Sequence, residues 1–327
     1  NQMLSNVSYV TSVRKNSTSG DNVHIRNILA NSNMDYLNLR FFNLYIKLFS
    51  ERKNQMIIRE SIDLLIFCLL FPNFLLKKAF SNTYVEVNGS ILDESKKWWW
   101  LQDAQKKLFL NIKKVLIVSN GLKKRMIDLH GISNKKFIVI NNGGVNVIAS
   151  DKKFKQKIKF AYQKSLKIVF IGAKTKWQDI GFSIRKFKKI SKKTTSKIEV
   201  IIAGPGFEKE KEIRTNGLYI RFYGKQNSDE VLNLYQQSMI VLCPDNRVYK
   251  KHLLSSPIKV YEGLCLGKLI LFTHEWDFNS DFSNRALESF ISWDDLSCNE
   301  RISKLYENAQ NNKTKMRTWS TVVSELE

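Results

Sequence analysis

The sequence predicts an α/β fold built as two consecutive parallel-sheet units. Strand-like and helix-like segments alternate along the whole chain, and glycine turns follow several of the apolar strands. Its 327 residues leave room for two domains of about 150 residues each. An apolar content of 43% is that of a globular protein with a real core.

In the first half, Val7 to Thr11 reads as a strand, residues 15–21 as a polar loop and Asn22 to Ala30 as a helix. Gln55 to Ile58 forms the next clear strand, and Ser61 to Lys78 an apolar helix. Within that helix the run Leu64 to Leu76 contains Pro72 and is 13 residues long, shorter than the ~20 residues a bilayer span needs. It reads as a buried helix. Strands follow at Thr83–Val87, Val115–Val118 and Phe137–Ile140, with a helix from Gly121 to His130 before the last.

The lysine-rich stretch Asp151–Lys164 reads as a linker, which sets the domains at 1–150 and 151–327. The second half restarts with strands at Lys167–Ile171, Glu199–Ala203, Tyr219–Phe222, Ile240–Cys243 and Leu269–Phe272. Helices fall between them, and a helical tail runs from about Glu300 to Leu326.

The formal charge of +23 is shared between the halves: 21 basic and 10 acidic residues in 1–150, 32 and 20 in 151–327. A field this broad attracts polyanions such as nucleotide diphosphates or an anionic membrane face. No helix-turn-helix, zinc-finger or RNP signature is present, so nucleic acid is not the expected partner. The four cysteines, Cys68, Cys243, Cys265 and Cys298, form no CxxC pair or metal spacing, which fits a reducing compartment without a disulfide framework. The opening NQMLSNVSYV lacks a basic n-region followed by an apolar run, so no signal peptide is expected.

The most informative stretch is SPIKVYEGLCLGKLILF, Ser256 to Phe272. Ser256 suits a helix N-cap and Pro257 the first helical turn. Ile258, Tyr261, Leu264 and Cys265 recur at helical spacing, Gly267 suits a left-handed stop, and Lys268 leads into a short apolar strand. Lys259 and Glu262 ride on the first turns, beside an N-terminus whose free N–H groups and dipole favour phosphate. This segment resembles the donor-binding helix of the retaining GT-B glycosyltransferases of family 4, SPxKxxExxAxGKPVV.

Other segments carry the same resemblance in the family's order. KIVFIGAKTKWQD, Lys167 to Asp179, resembles the FVGSxxxWHG loop, with Gly172 ending the strand, Trp177 on the family Trp, and Lys174 or Lys176 nearest a diphosphate. EVIIAGPGFE carries the turn Gly204–Gly206, and IRFYGKQNSDEVLNLYQQSMIVLCP carries Gly224 and Lys225, against which a base would lie. VLIVSNGLKKRMIDLHGISNKKFIVINNGGVN, Val115 to Asn146, is similar to the family's VSexl…VIpNGvD run, and Ser119 there suits a helix cap. VEVNGSILDE resembles yEvNGxxxdE, and SGDNVHI, with Gly20 and Asp21, stands where the family has a Gly-rich loop.

The resemblance implies a GT-B fold, two Rossmann-like domains facing a central cleft, in which such a tail often crosses back to the first domain. It implies a metal-independent, retaining glycosyltransferase that moves a sugar from a nucleoside-diphosphate sugar to a glycan or lipid-linked acceptor, with no cofactor beyond that substrate. Glu262 would hold the ribose, Lys259 and Lys176 (or Lys174) the phosphates, and Pro257 and Ile258 would open the phosphate-binding turn. Gly20, Asp21, Glu86 and Asn88 would face the sugar or acceptor. Two departures stand out: the first Glu of E-x7-E falls at Leu254, and the His expected in the first domain is Asn88. A non-catalytic membrane-docked subunit and a sugar epimerase are the alternatives.

KKWWWLQDAQKKLFLNIKK, Lys96 to Lys114, joins three tryptophans and six lysines to a single acid, Asp103. Such a segment suits the interface of an anionic membrane, and so a cytoplasmic enzyme peripheral to the inner face. Leu101, Leu108, Phe109 and Ile112 share one helical face that suits the core equally well.

Overall fold

In the computed structural model, residues 7–11, 20–32, 34–38, 55–89, 92, 96–145, 165–246, 248, 254–274 and 281–326 are described. They divide into two compact units, one of Asn1–Asn142, Leu253–Ser256 and Trp319–Glu327, the other of Gly143–His252 and Pro257–Thr318. The expected linker, 151–164, lies outside the described residues.

The first unit is built on a parallel sheet of β1 (Val7–Thr11), β2 (Asp35–Asn38), β3 (Gln55–Arg59), β4 (Thr83–Val87), β5 (Lys114–Ile117) and β6 (Phe137–Val139), in the order β2-β1-β3-β4-β5-β6. Side chains alternate across it, as the two-residue period of a strand requires. Val10, Ile58, Val85, Val87, Val115 and Ile117 face one cluster with Leu64, Phe67, Leu108, Phe109 and Met126 from helices. Tyr9, Ile57, Glu86 and Leu116 face a small cavity closed by Ile28, Val322 and Leu326. The C-terminal helix Trp319–Leu326 thus belongs to the first unit.

The second unit carries β7 (Ser165–Ile171), β8 (Lys197–Ala203), β9 (Ile213–Thr215), β10 (Leu218–Tyr223), β11 (Ile240–Cys243), β12 (Leu269–Phe272) and β13 (Phe290–Ile291), in the order β13-β12-β11-β7-β8-β10-β9. Among the described strands only β9 pairs antiparallel, through a turn at Gly217. The parallel strands run outward from β7 in two directions, the doubly wound Rossmann order, with the reversal between β7 and β11. Both faces are covered: Leu166, Ile168 and Phe170 pack in one cluster, Val169, Val241 and Ile270 in another. This explains the near-continuous apolar strands in the sequence.

Several expectations need correction. The apolar helix predicted over 61–78 is two helices, Ile62–Leu70 and Asn73–Ala79, because Pro72 has no N–H to continue the first. Gly20 and Asp21 open the helix Gly20–Ala30 and are not part of a glycine loop. Ser256 does not cap the 258–265 helix: its hydroxyl accepts the Asn142 N–H at 3.0 Å, and Pro257 is the cap residue. The tail is two helices, Asn299–Asn312 and Trp319–Leu326. Strands β2, β9 and β13 are additions, all short or at sheet edges.

Ser119 does cap the helix Asn120–His130, accepting the Leu122 N–H at 3.1 Å, and Gly131 ends it in the left-handed conformation. Cys68, Cys243 and Cys265 are buried free thiols. No helix among the described residues is long and apolar enough to cross a membrane.

Candidate functional site

In open α/β sheets, ligands bind outside the carboxyl ends of the strands, where the strand order reverses. In the second unit that point lies between β7 and β11, and the segments that follow these two strands are bound together. The Asp179 N–H donates to Pro244 O at 3.1 Å and the Asn246 N–H to Trp177 O at 3.0 Å. Asn246 Nδ2 adds a bond to Lys176 O at 3.1 Å.

The glycine turns knit onto the same edge. Gly172 N–H donates to Ala203 O at 2.9 Å, and Lys174 N–H to Pro205 O at 2.8 Å. At Gly204, with φ +143°, a Cβ would stand 2.1 Å from the Gly172 carbonyl oxygen, so only glycine fits there. Glu208 was not singled out in the sequence, yet its carboxylate accepts the Gly206 N–H at 2.9 Å and lies where a Gly224 side chain would stand. Lys225 is exposed beside this turn.

The helix Ile258–Cys265 follows β11 and starts at Pro257 with no side-chain cap, leaving its first turn open to an anion. Lys259 Nζ lies 5.1 Å from the centre of the Phe170 ring, at the end of β7. One turn on, Glu262 accepts a 2.9 Å bond from the buried Tyr235 hydroxyl. Burial raises the Glu262 carboxyl above its ordinary range, opposed by the Tyr235 bond and the Lys259 charge. Gly267, with φ +65°, ends the helix, and Lys268 behind it is buried, donating to Ser238 O at 2.6 Å. Burial pushes that ammonium down to about 7; its place at the end of the 228–237 helix makes it structural.

Pro257, Ile258, Lys259 and Glu262 are thus brought together with the Gly172–Asp179 loop in one unit. Lys174 pairs with Glu210 at 2.5 Å, and Lys176, exposed like Lys174, holds Asn246 through its carbonyl. Asp245, absent from the sequence reading, sits two residues past β11 with its N–H on Thr273 Oγ1 at 2.7 Å. Burial raises its carboxyl to about 7 although Lys259 opposes the rise.

In the first unit, Glu86 is buried on β4 and accepts a hydrogen bond from the Tyr9 hydroxyl. Asn88, with its amide oriented to suit its neighbours, accepts from both terminal nitrogens of Arg59 at 2.9 Å and donates to Glu86 at 3.3 Å. Leu254 packs against the first unit's core. Gly20 and Asp21 stand in the first turn of their helix. No cluster of three or more His, Cys, Asp or Glu that could hold a metal ion occurs among the described residues.

Two Rossmann-like units of this kind define the GT-B fold, and solved structures share it across nearly the full chain. The chain resembles HepE of Anabaena, crystallised with UDP, with a TM-score of 0.65, 11% identity and 98% of each chain covered. A glycosyltransferase of Rickettsia africae gives a TM-score of 0.61 at 13% identity, covering 98% of this chain and 97% of the other. Residues 151–316 match the family of glycosyl transferases group 1, and the chain belongs to that family. An uncharacterized glycosyltransferase of Methanocaldococcus jannaschii is 25% identical over 174 residues, 51% of this chain. The chain spans only 42% of that relative's length.

Proposed function

We propose that the protein is a retaining, family 4-like glycosyltransferase that takes a sugar from a nucleoside-diphosphate sugar and delivers it to a glycan or glycolipid in cell-surface polysaccharide synthesis. The observation that carries this reading is the 258–265 helix. Its uncapped N-terminus, Lys259 and Glu262 stand at the strand-order reversal of a Rossmann unit.

In this reading the diphosphate lies at the first turn of that helix, held by backbone N–H groups, Lys259 and Lys176. Glu262, fixed by Tyr235, accepts the ribose hydroxyls. The glycine turns at 172, 204–206 and 224 let the donor lie against backbone, with Trp177 and Lys225 at the margins. Negative charge grows on the diphosphate as the glycosidic bond breaks, and preorganised cationic groups stabilise it there, so no metal is required. The acceptor hydroxyl attacks from the face the diphosphate leaves, which retains the anomeric configuration. Glu86 and Asn88 are the first-unit groups proposed for the sugar or acceptor side, with Gly20 and Asp21.

We further propose that the enzyme docks on the inner face of an anionic membrane. Trp99 is 72% exposed, Phe74 71%, Leu70 65% and Leu110 59%, all on the helices between 62 and 111. Trp98 instead packs on the core, as do Leu101, Leu108, Phe109 and Ile112. Incubation with UDP-, GDP- and ADP-sugars, following nucleotide release and then the product anomer by NMR, tests the reading. Release that depends on acceptor, unaffected by EDTA, supports it; no release with any donor favours a non-catalytic subunit, which the Leu254 and Asn88 packing also fits.

A further inference from the structure

We propose that Asp245 is a proton-coupled part of the donor site, taking up a proton when a nucleoside-diphosphate sugar binds and then donating a hydrogen bond to the diphosphate. The inference rests on the donor-site reading above and adds a residue and a linkage to it.

Its basis is placement. Asp245 stands two residues past the end of β11, the strand beside β7 at the reversal point, and its backbone is fixed from both sides. Its N–H donates to Thr273 Oγ1 at 2.7 Å, and that hydroxyl donates back to Asp245 O at 2.9 Å. The neighbouring residues Pro244 and Asn246 are bonded to the 176–179 loop. Asp245 is thus tied through its neighbours to the loop bearing Lys176, and its carboxyl lies close enough to the 258–265 helix for the Lys259 charge to act on it, yet among the described residues that carboxyl makes no hydrogen bond or ion pair. A cradle for an anion that contains an unpartnered carboxylate is at odds with itself unless the carboxylate is neutral when the anion is present.

Among the described residues, the charged and titratable groups around it are few. Lys259 acts on it from the 258–265 helix, Cys243 lies two residues back on β11, and His274 follows Thr273 with its ring tilted against that of Phe182. Burial holds the Cys243 thiol far above neutrality, so it does not titrate near pH 7. Asp245 itself is raised to about 7, poised so that added negative charge protonates it. A diphosphate diester keeps its charges throughout this range, so the proton cannot come to rest on the ligand. Glu262, on the same helix as Lys259, is engaged by the Tyr235 hydroxyl at 2.9 Å.

Calorimetry with UDP-, GDP- and ADP-glucose, in buffers of different ionisation enthalpy, counts the protons. At pH 7.5 the donor that binds should carry in roughly half a proton or more per site, and its affinity should fall by roughly tenfold or more between pH 6 and 9. Asp245→Asn keeps the backbone bonds to Thr273 and should abolish the uptake while holding the low-pH affinity across the range. Uptake that persists in Asp245→Asn, or native binding without uptake, overturns the role of Asp245 alone. Binding of none of the three donors overturns the nucleotide-sugar reading itself, and this inference with it.

Discussion

The Tyr235 hydroxyl donates a 2.9 Å hydrogen bond to Glu262, linking the 228–237 helix to the helix that follows β11. Tyr235 is fully buried, so the bond fixes one oxygen of the carboxylate and leaves the other for a ligand.

Glu262→Gln should weaken nucleotide binding by roughly tenfold or more, since a charge-assisted hydrogen bond contributes about 1.5–3 kcal/mol. Tyr235→Phe should leave the fold intact and produce a smaller loss. It should also shift the acid limb of nucleotide binding upward, because it removes a bond that holds the Glu262 pKa down. Calorimetry across pH checks both, and unchanged affinity in Glu262→Gln would remove the ribose assignment.

Lys259→Ala should lower turnover more than it raises the donor Michaelis constant. The charge it faces in the proposed mechanism grows as the glycosidic bond breaks, so its contribution is larger in the transition state. Steady-state kinetics on the active donor decide this, and a change confined to the Michaelis constant makes Lys259 a ground-state contact.

A buried relay in the first unit gives a pH test of stability. Gln105 donates to Glu60 at 2.6 Å and meets His130 Nε2 at 2.7 Å. Burial raises Glu60 from 4.5 to about 7, so its contribution to stability is fully present below pH 4.5 and is lost as pH rises toward 7. Burial lowers His130 from 6.5 to about 4, so its contribution is present above 6.5 and lost as pH falls toward 4. The two oppose one another, Glu60 by up to about 3 kcal/mol and the less deeply buried His130 by less. Denaturant melts should therefore show stability rising with pH between 5 and 6.5 in Glu60→Gln and falling in His130→Gln. Parallel curves for both variants would contradict the relay.

Trp99→Ala with Trp100→Ala should reduce cosedimentation with anionic vesicles without lowering Tm, since both side chains are exposed, 72% and 42%. Native binding should be weak on neutral vesicles and released by high salt, as screening shortens the reach of the lysines. Wild-type vesicle binding by the folded double variant would take these residues out of the membrane contact.

The long, strongly apolar strands were legible from sequence because both sheet faces are covered; β11 and β12 fall where the pattern places them, at Ile240–Cys243 and Leu269–Phe272. Short edge strands such as β13 (Phe290–Ile291) have too few residues to show a period. The Ser256 cap was misread because the hydroxyl's partner, Asn142, is 114 residues away. Glu262 and Lys259 could be found from their spacing on one helix. Tyr235, Glu208 and Asp245 could not, because their significance lies in which strand ends the fold brings together.

The most direct test of the account is a crystal structure of the protein with the nucleoside diphosphate that it binds. The account predicts the diphosphate at the first turn of the 258–265 helix, within hydrogen-bond reach of Lys259 Nζ, and the ribose hydroxyls on Glu262. A nucleotide seated elsewhere, with Lys259 still over Phe170 and Glu262 bonded only to Tyr235, would contradict it.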